Sequence, residues 1–134
     1  MNTGHLHSFL DAMHRLDIKG AASYIADDIV VRTPIMHEPI KGKVKLLPIL
    51  THLLAIAETY EAVEVMTGKD HFAVIHRFKF GSVEVEGVDY VHQNQAELID
   101  GLAVMWRPLP AVVAVQALVA PILGVPALKL VPAA

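Results

Sequence analysis

Two side chains in the second half of the chain place a titratable group in an apolar run. They are Asp89, within Glu86-Gly87-Val88-Asp89-Tyr90-Val91-His92, and His76, within Phe72-Ala73-Val74-Ile75-His76-Arg77-Phe78-Lys79-Phe80. Both runs alternate with the period of a strand, where every second residue points to the same face. Asp89 then shares a face with Val85, Gly87, Val91 and Gln93, while Glu84, Glu86, Tyr90 and His92 take the other. Glutamates strongly prefer water, so Asp89 is left on the core side. By the same argument His76 looks inward with Phe72, Val74, Phe78 and Phe80, opposite Arg77 and Lys79. A carboxyl in such a place must be hydrogen-bonded, paired, or raised in pKa by desolvation. A raised carboxyl can give and take a proton near neutral pH, so the chemistry expected is general acid–base catalysis by Asp89 with His76 assisting. The same placement also suits a plain binding site in which Asp89 orients a ligand.

Other residues join these two as pocket candidates. Leu102, Val104 and Trp106 alternate onto one face of the last strand-like run, and the Trp106 indole N–H needs a partner if buried. His37 lies in a loop after the first strand-like run and is a second candidate to assist Asp89. Tyr24 and Tyr60 are possible hydroxyl donors, although such tyrosines more often edge a core. The chain has no cysteine, which excludes disulfides, thiolate metal sites and cysteine nucleophiles. His5 and His7 are two apart, so on a helix they do not share a face and a metal site there is not expected. No H-E-x-x-H, phosphate loop, dinucleotide fingerprint or G-x-S-x-G elbow is present. A pocket without metal or cofactor is the expectation.

The elements that position these residues follow from periodicity. Leu6, Phe9, Leu10, Met13 and Leu16 recur at helical spacing, which predicts an amphipathic helix over residues 5–16. Asp17 suits the N-cap of a short second helix carrying Ile18, Ala21, Ala22 and Ile25, with Asp27-Asp28 ending it. Residues 29–33 are rich in β-branched side chains and read as a strand closed by Pro34; residues 35–43 read as a loop. A third helix is predicted over residues 43–57. It is apolar nearly all round and so expected to be buried, with Pro48 in its first turn or kinking it. Four strands follow, over residues 60–66, 72–80, 83–91 and 98–107, with turns at Gly68, Gly81 and Asn94-Gln95. This is an α+β layout with helices gathered on one face of an antiparallel sheet. At 134 residues one domain is expected, with residues 108–134 a capping or dimerisation segment.

Composition narrows the partners. Hydrophobic residues make up 54% of the chain and charged ones 19%, which suggests a lined cavity or an oligomer interface. The net charge of -3 and the lack of a basic run argue against nucleic acid. No signal-peptide pattern opens the chain, and a cytoplasmic location is expected. The apolar stretch 109–125 is interrupted by Pro110, Pro121 and Gly124, so a helix over residues 111–120 with an extended tail is favoured over a membrane span. Its many apolar side chains should pack over a pocket mouth or against a second subunit of a homodimer.

Tyr24-Ile25-Ala26-Asp27-Asp28-Ile29-Val30-Val31-Arg32-Thr33-Pro34, followed by Lys41-Gly42-Lys43, resembles the opening of nuclear-transport-factor-like cone domains. This superfamily includes ketosteroid isomerase, limonene epoxide hydrolase, scytalone dehydratase and the SnoaL-like polyketide cyclases. Gly87-Val88-Asp89-Tyr90-Val91 is similar to a strand of the cyclases, and Leu102-Ala103-Val104-Met105-Trp106-Arg107-Pro108 to the family's last strand. The resemblance covers residues 5–108. It implies a curved sheet wrapped around three helices with a pocket in the cone. By similarity to ketosteroid isomerase, Asp89 falls where that enzyme keeps a protonated aspartic acid, and Leu102, Val104 and Trp106 match pocket-lining positions. The isomerase base would fall at Thr33 and its first-helix tyrosine at Phe9, neither of which can do that chemistry. What the resemblance implies is a cofactor-independent protein for a small apolar molecule, either an isomerase-, cyclase- or lyase-type enzyme or a binding module.

Overall fold

The computed structural model describes residues 3–133. Helix α1 (Gly4–His14) buries Leu6, Phe9, Leu10 and Met13, the stripe its spacing predicts. It stops short of Leu16, which takes a left-handed φ of 55° that no α-helix can include. Asp17 caps α2 (Ile18–Ala22), its carboxylate accepting from the Gly20 N–H at 3.1 Å. Strand β1 (Ile25–Arg32) begins earlier than the sequence reading placed it. Asp27 and Asp28 therefore do not end a helix; they are exposed strand residues, within the stretch from Ile25 to Val30 where pairing with the neighbouring strand is interrupted. The loop expected next contains the two-residue strand β2 (Ile40–Lys41), paired to Val31 and Val30.

Helix α3 (Lys43–Ile56) departs from all-round burial. Leu46 and Leu54 are buried, but Val44 is 88% exposed. The cause is its position as an outer layer: Leu46, Ile49, Leu50 and Leu53 cover a cavity while the other side meets solvent. Pro48 lies inside the helix rather than in its first turn. The carbonyl it leaves unserved belongs to Val44, on the exposed side where water can reach it.

Strands β3 (Thr59–Thr67), β4 (Phe72–Phe80), β5 (Val83–Gln93) and β6 (Ile99–Arg107) complete one six-stranded sheet in the order β2-β1-β6-β5-β4-β3. Its pairings are antiparallel except β1 with β6, which run parallel. Register shifts at Ala62/Glu64 in β3 and at His92/Gln93 in β5 add local bend and twist, and the curved sheet stays open. Its inner face carries Phe72, Val74, Val85 and Val91, each at most 2% exposed, under the helices.

Helix α4 (Leu109–Leu123) is longer than the predicted 111–120 and runs through Pro121 to a left-handed Gly124. Pro121 is tolerated because it and Ala117, whose carbonyl loses a donor, are both exposed. Val112, Val115, Val119 and Ala120 are buried. Buried Gln116 ties down the chain that follows: its Nε2 donates to the Pro126 carbonyl at 2.9 Å and its Oε1 accepts from the Leu128 N–H at 2.7 Å. Among the described residues no helix is long and apolar enough to cross a membrane.

Candidate functional site

The site is assembled across three adjacent strands. His76 on β4, Gly87 on β5 and Trp106 on β6 are register partners in one cross-strand row. A Cβ at Gly87 would lie 1.8 Å from the Met105 carbonyl oxygen and 2.8 Å from the Trp106 ring, so only glycine fits. Across this gap the Trp106 indole N–H donates to His76 Nε2 at 2.9 Å. Asp89 lies one inward position further along β5, between Val74 and Val104. Tyr60 on β3 donates its hydroxyl to Asp89 Oδ2 at 3.4 Å. His76 Nδ1 is 3.3 Å from the same oxygen, too poorly aligned to count as a hydrogen bond, and it is buried with no other partner. Tyr60 also stacks against His76, with ring centroids 5.5 Å apart.

Burial governs the proton on this cluster. Loss of water pushes the Asp89 carboxyl above its ordinary range; nearby His76 and the Tyr60 hydrogen bond pull against that and are outweighed. The Tyr60 hydroxyl is held well above its usual value, first by burial and then by the neighbouring Asp89. Burial thus raises the proton affinity of both groups together. The Tyr60 hydroxyl donates to Oδ2 and His76 Nδ1 lies nearest the same oxygen, while Oδ1 has no hydrogen-bond partner among the described residues and is not sealed from the cavity.

That cavity lies between the inner sheet face and the helices, with about 860 Å³ of free space including its opening to solvent. Of the residues singled out in the sequence, Asp89, His76, Phe9, Thr33, Leu102, Val104 and Trp106 line it together. Tyr24 and His37 do not. Tyr24 packs at the sheet's edge with its ring 5.4 Å from His5, and His37 is exposed on its loop. Val119 and Leu123 of α4 form part of the wall. Apart from Thr33, Tyr60, His76 and Asp89, the wall is built almost wholly from aliphatic and aromatic side chains. No lining residue is a lysine or arginine, and Asp89 is the sole lining carboxyl.

Tyr60 is the site residue that sequence reasoning treated as a core edge. Its signal is weak because its pairing with Phe78, next to His76, is a long-range fact. The one usable hint is that a run starting at Tyr60 alternates it inward with Ala62, opposite Glu61. His5 bonds the Glu97 carbonyl at 3.1 Å and His7 is exposed, so the H-x-H pair is divided. Among the described residues no cluster of three or more potential metal ligands occurs.

No family model matches the sequence, and no curated protein matches it. Solved structures do match. A steroid delta-isomerase from Pseudomonas aeruginosa superposes with a TM-score of 0.80 at 21% identity, covering 91% of this chain and 90% of that one. A SnoaL-like protein of unknown function from Burkholderia thailandensis gives a TM-score of 0.69 at 14% identity, covering 81% and 99%. The fold is the nuclear-transport-factor-like cone. A de novo designed protein with a curved β-sheet also matches, with a TM-score of 0.73 at 12% identity, covering 92% and 98%. A fold that a designed protein shares cannot by itself name an activity; the site has to do that.

Proposed function

We propose that this protein takes up a small, uncharged, largely apolar molecule and that Asp89 acts on one of its oxygens or activated carbons as general acid and base. The observation that carries this reading is a buried carboxyl, its pKa raised by burial, on the wall of an otherwise apolar cavity, with one oxygen left free. A carbonyl, enol or hydroxyl oxygen reaching Oδ1 meets an acid whose proton is not competed for by water. Electrostatic help of that kind is strongest in a dry site. After giving its proton the same carboxylate can take another, so isomerase-, cyclase- and lyase-type proton transfers are the chemistry it suits. Proteins of this fold that include a steroid isomerase support the class without fixing the substrate.

A second reading is favoured by specific residues. Thr33 and Phe9 line the cavity where a carboxylate base and a hydroxyl would complete an isomerase site, so the protein is alternatively a binding module with Asp89 as orienting group. Turnover decides between them. Mass spectrometry of a co-purifying molecule supplies the ligand, and its conversion by the intact protein but not by Asp89→Asn makes the protein an enzyme. Tight binding with no conversion, in both forms, makes it a carrier.

The protein pairs with a second copy through the outer sheet face. Ile75, Val88 and Met105 form one cross-strand row there, with Met105 53% exposed, beside a row of alternating charge, Arg77, Glu86 and Arg107. With the two-fold axis between Arg77 and Glu86, each would face its opposite charge on the second copy. Light scattering should give a dimer mass that Met105→Lys converts to a monomer; a monomer mass for the parent protein at high concentration removes the idea.

A further inference from the structure

We infer that Trp106 is a positioning residue for Asp89, acting through His76 to fix which carboxyl oxygen faces the ligand. This rests on the proposed acid site and adds to it the device that orients the acid. An indole N–H can only donate, so the His76 Nε2 it meets at 2.9 Å must present a lone pair. The ring proton of neutral His76 therefore sits on Nδ1. Nδ1 is buried, has no aligned hydrogen-bond partner among the described residues, and has Asp89 Oδ2 3.3 Å away. Tyr60, on β3 beyond β4, adds its hydroxyl to that same oxygen at 3.4 Å. With the Tyr60 hydroxyl bonded to Oδ2, His76 Nδ1 nearest that same oxygen and no donor at Oδ1, the carboxyl is turned so that Oδ2 accepts and Oδ1 carries the transferable proton toward the cavity, a small turn of the imidazole completing the second bond.

Gly87 belongs to the same device. Trp106 and His76 flank it in one row, so their side chains must meet over the intervening strand. A side chain at that position would collide with the indole. Without the indole N–H, His76 could carry its proton on Nε2 instead. Nδ1 would then offer a lone pair to Asp89 Oδ2, which favours a proton on Oδ2 and takes it off Oδ1. The orientation of the acid would reverse with almost no change in shape.

Nitrogen NMR of the intact protein tests this directly. His76 should show a protonated-type shift at Nδ1 and an unprotonated-type shift at Nε2, and Trp106→Phe should lose that pattern. An Nε2-protonated ring in the parent, or an unchanged pattern in Trp106→Phe, overturns the inference whatever the pocket binds. Binding of 2-naphthol against naphthalene gives the second readout. The parent should prefer the naphthol. Trp106→Phe should cut that preference roughly threefold to tenfold, the scale of one hydrogen bond, with naphthalene affinity little changed. His76→Gln, whose amide can accept from the indole and donate to the carboxyl, should keep the preference, and His76→Leu should lose it. A Leu variant with the parent's preference counts against the inference. Absence of any preference in the parent, alongside the expected nitrogen shifts, sinks the acid site and leaves the tautomer assignment standing.

Discussion

The two faces of strands β4 and β5 carry similar side chains with opposite behaviour. Inside are Tyr60, His76 and Asp89. Outside, at the far end of the same hairpin, His71 is bonded through Nδ1 to Asp70 at 2.8 Å and stacked 4.2 Å from Tyr90, and His92 Nδ1 is bonded to Asp100 at 2.5 Å. The outer contacts are the shorter ones. Yet Asp70, fully exposed, has its carboxyl held below the ordinary range by its hydrogen bond to His71, while Asp89, with longer contacts, is held above it by burial. Same residue types, opposite proton affinity: access to water outweighs the partner. The inner group holds a proton more tightly than an ordinary carboxyl does, and the outer one is a pair of solvated hydrogen bonds.

Gly87→Ala attacks the inner group hardest. Its Cβ overlaps the Met105 carbonyl, so β5 and β6 must separate, and a loss of about 3 kcal/mol or more is expected in urea unfolding. Gly101→Ala is the outer-face control. There the Cβ meets only the His92 Cβ at 3.2 Å, and a far smaller loss should follow. Equal losses at both positions would erase the asymmetry.

Asp89→Asn comes next and separates chemistry from folding. If the protein is an enzyme, turnover should fall at least about a hundredfold, the usual scale for removing a general acid or base. The fold should survive, because an amide can still pair with Tyr60 or His76. A variant that fails to fold marks Asp89 as structural.

The third effect lies in the pH dependence of stability. Between its ordinary pKa and its raised folded value, Asp89 keeps a proton in the folded protein that the unfolded chain has released. Stability from this group is therefore complete below the ordinary carboxylate pKa and declines as pH rises to the folded value. Asp89→Asn should flatten that decline and exceed the parent in stability above it. Asp70 works with the opposite sign: its contribution is present above the ordinary value and is lost as pH falls through its lowered folded value. Denaturation midpoints measured across the acid range for Asp89→Asn and Asp70→Asn should show slopes of opposite sign removed. Slopes of one sign would contradict the contrast between the faces.

The smallest effect is expected from His92→Ala. Half-exposed ion pairs contribute about 0–1 kcal/mol, so the midpoint should barely move. A loss comparable to that of Gly87→Ala would mean the outer cluster is structural after all.

Much of the inner group was legible because strand alternation is local. Arg77 and Lys79 send His76 inward, and Glu84 and Glu86 do the same for Asp89, without knowledge of any partner strand. Trp106 follows from the same rule with Leu102 and Val104. What could not be read locally depends on which strands meet. The parallel pairing of β1 with β6 joins residues some seventy positions apart, and Tyr60 enters the site only because β3 pairs with β4 in one register. Asp27 and Asp28 look like a helix stop because two exposed acids inside a strand are unusual. Here they occupy the interrupted part of the β1 ladder, where facing solvent costs the sheet little. Tyr24 and His37 misled for a related reason: proximity to a motif in sequence says nothing about reach into a cavity.

The bond between Trp106 and His76 has an optical consequence. The chain holds one tryptophan, so all of its indole emission arises from this wall of the cavity. Emission colour and intensity respond to the polarity around the ring and to what its N–H touches. A molecule entering the cavity changes both, and so does any proton shift on the imidazole that the indole holds. The protein thus carries its own fluorophore at the one place where its chemistry is expected, and a simple titration read at the tryptophan band follows the pocket with no background from the rest of the fold.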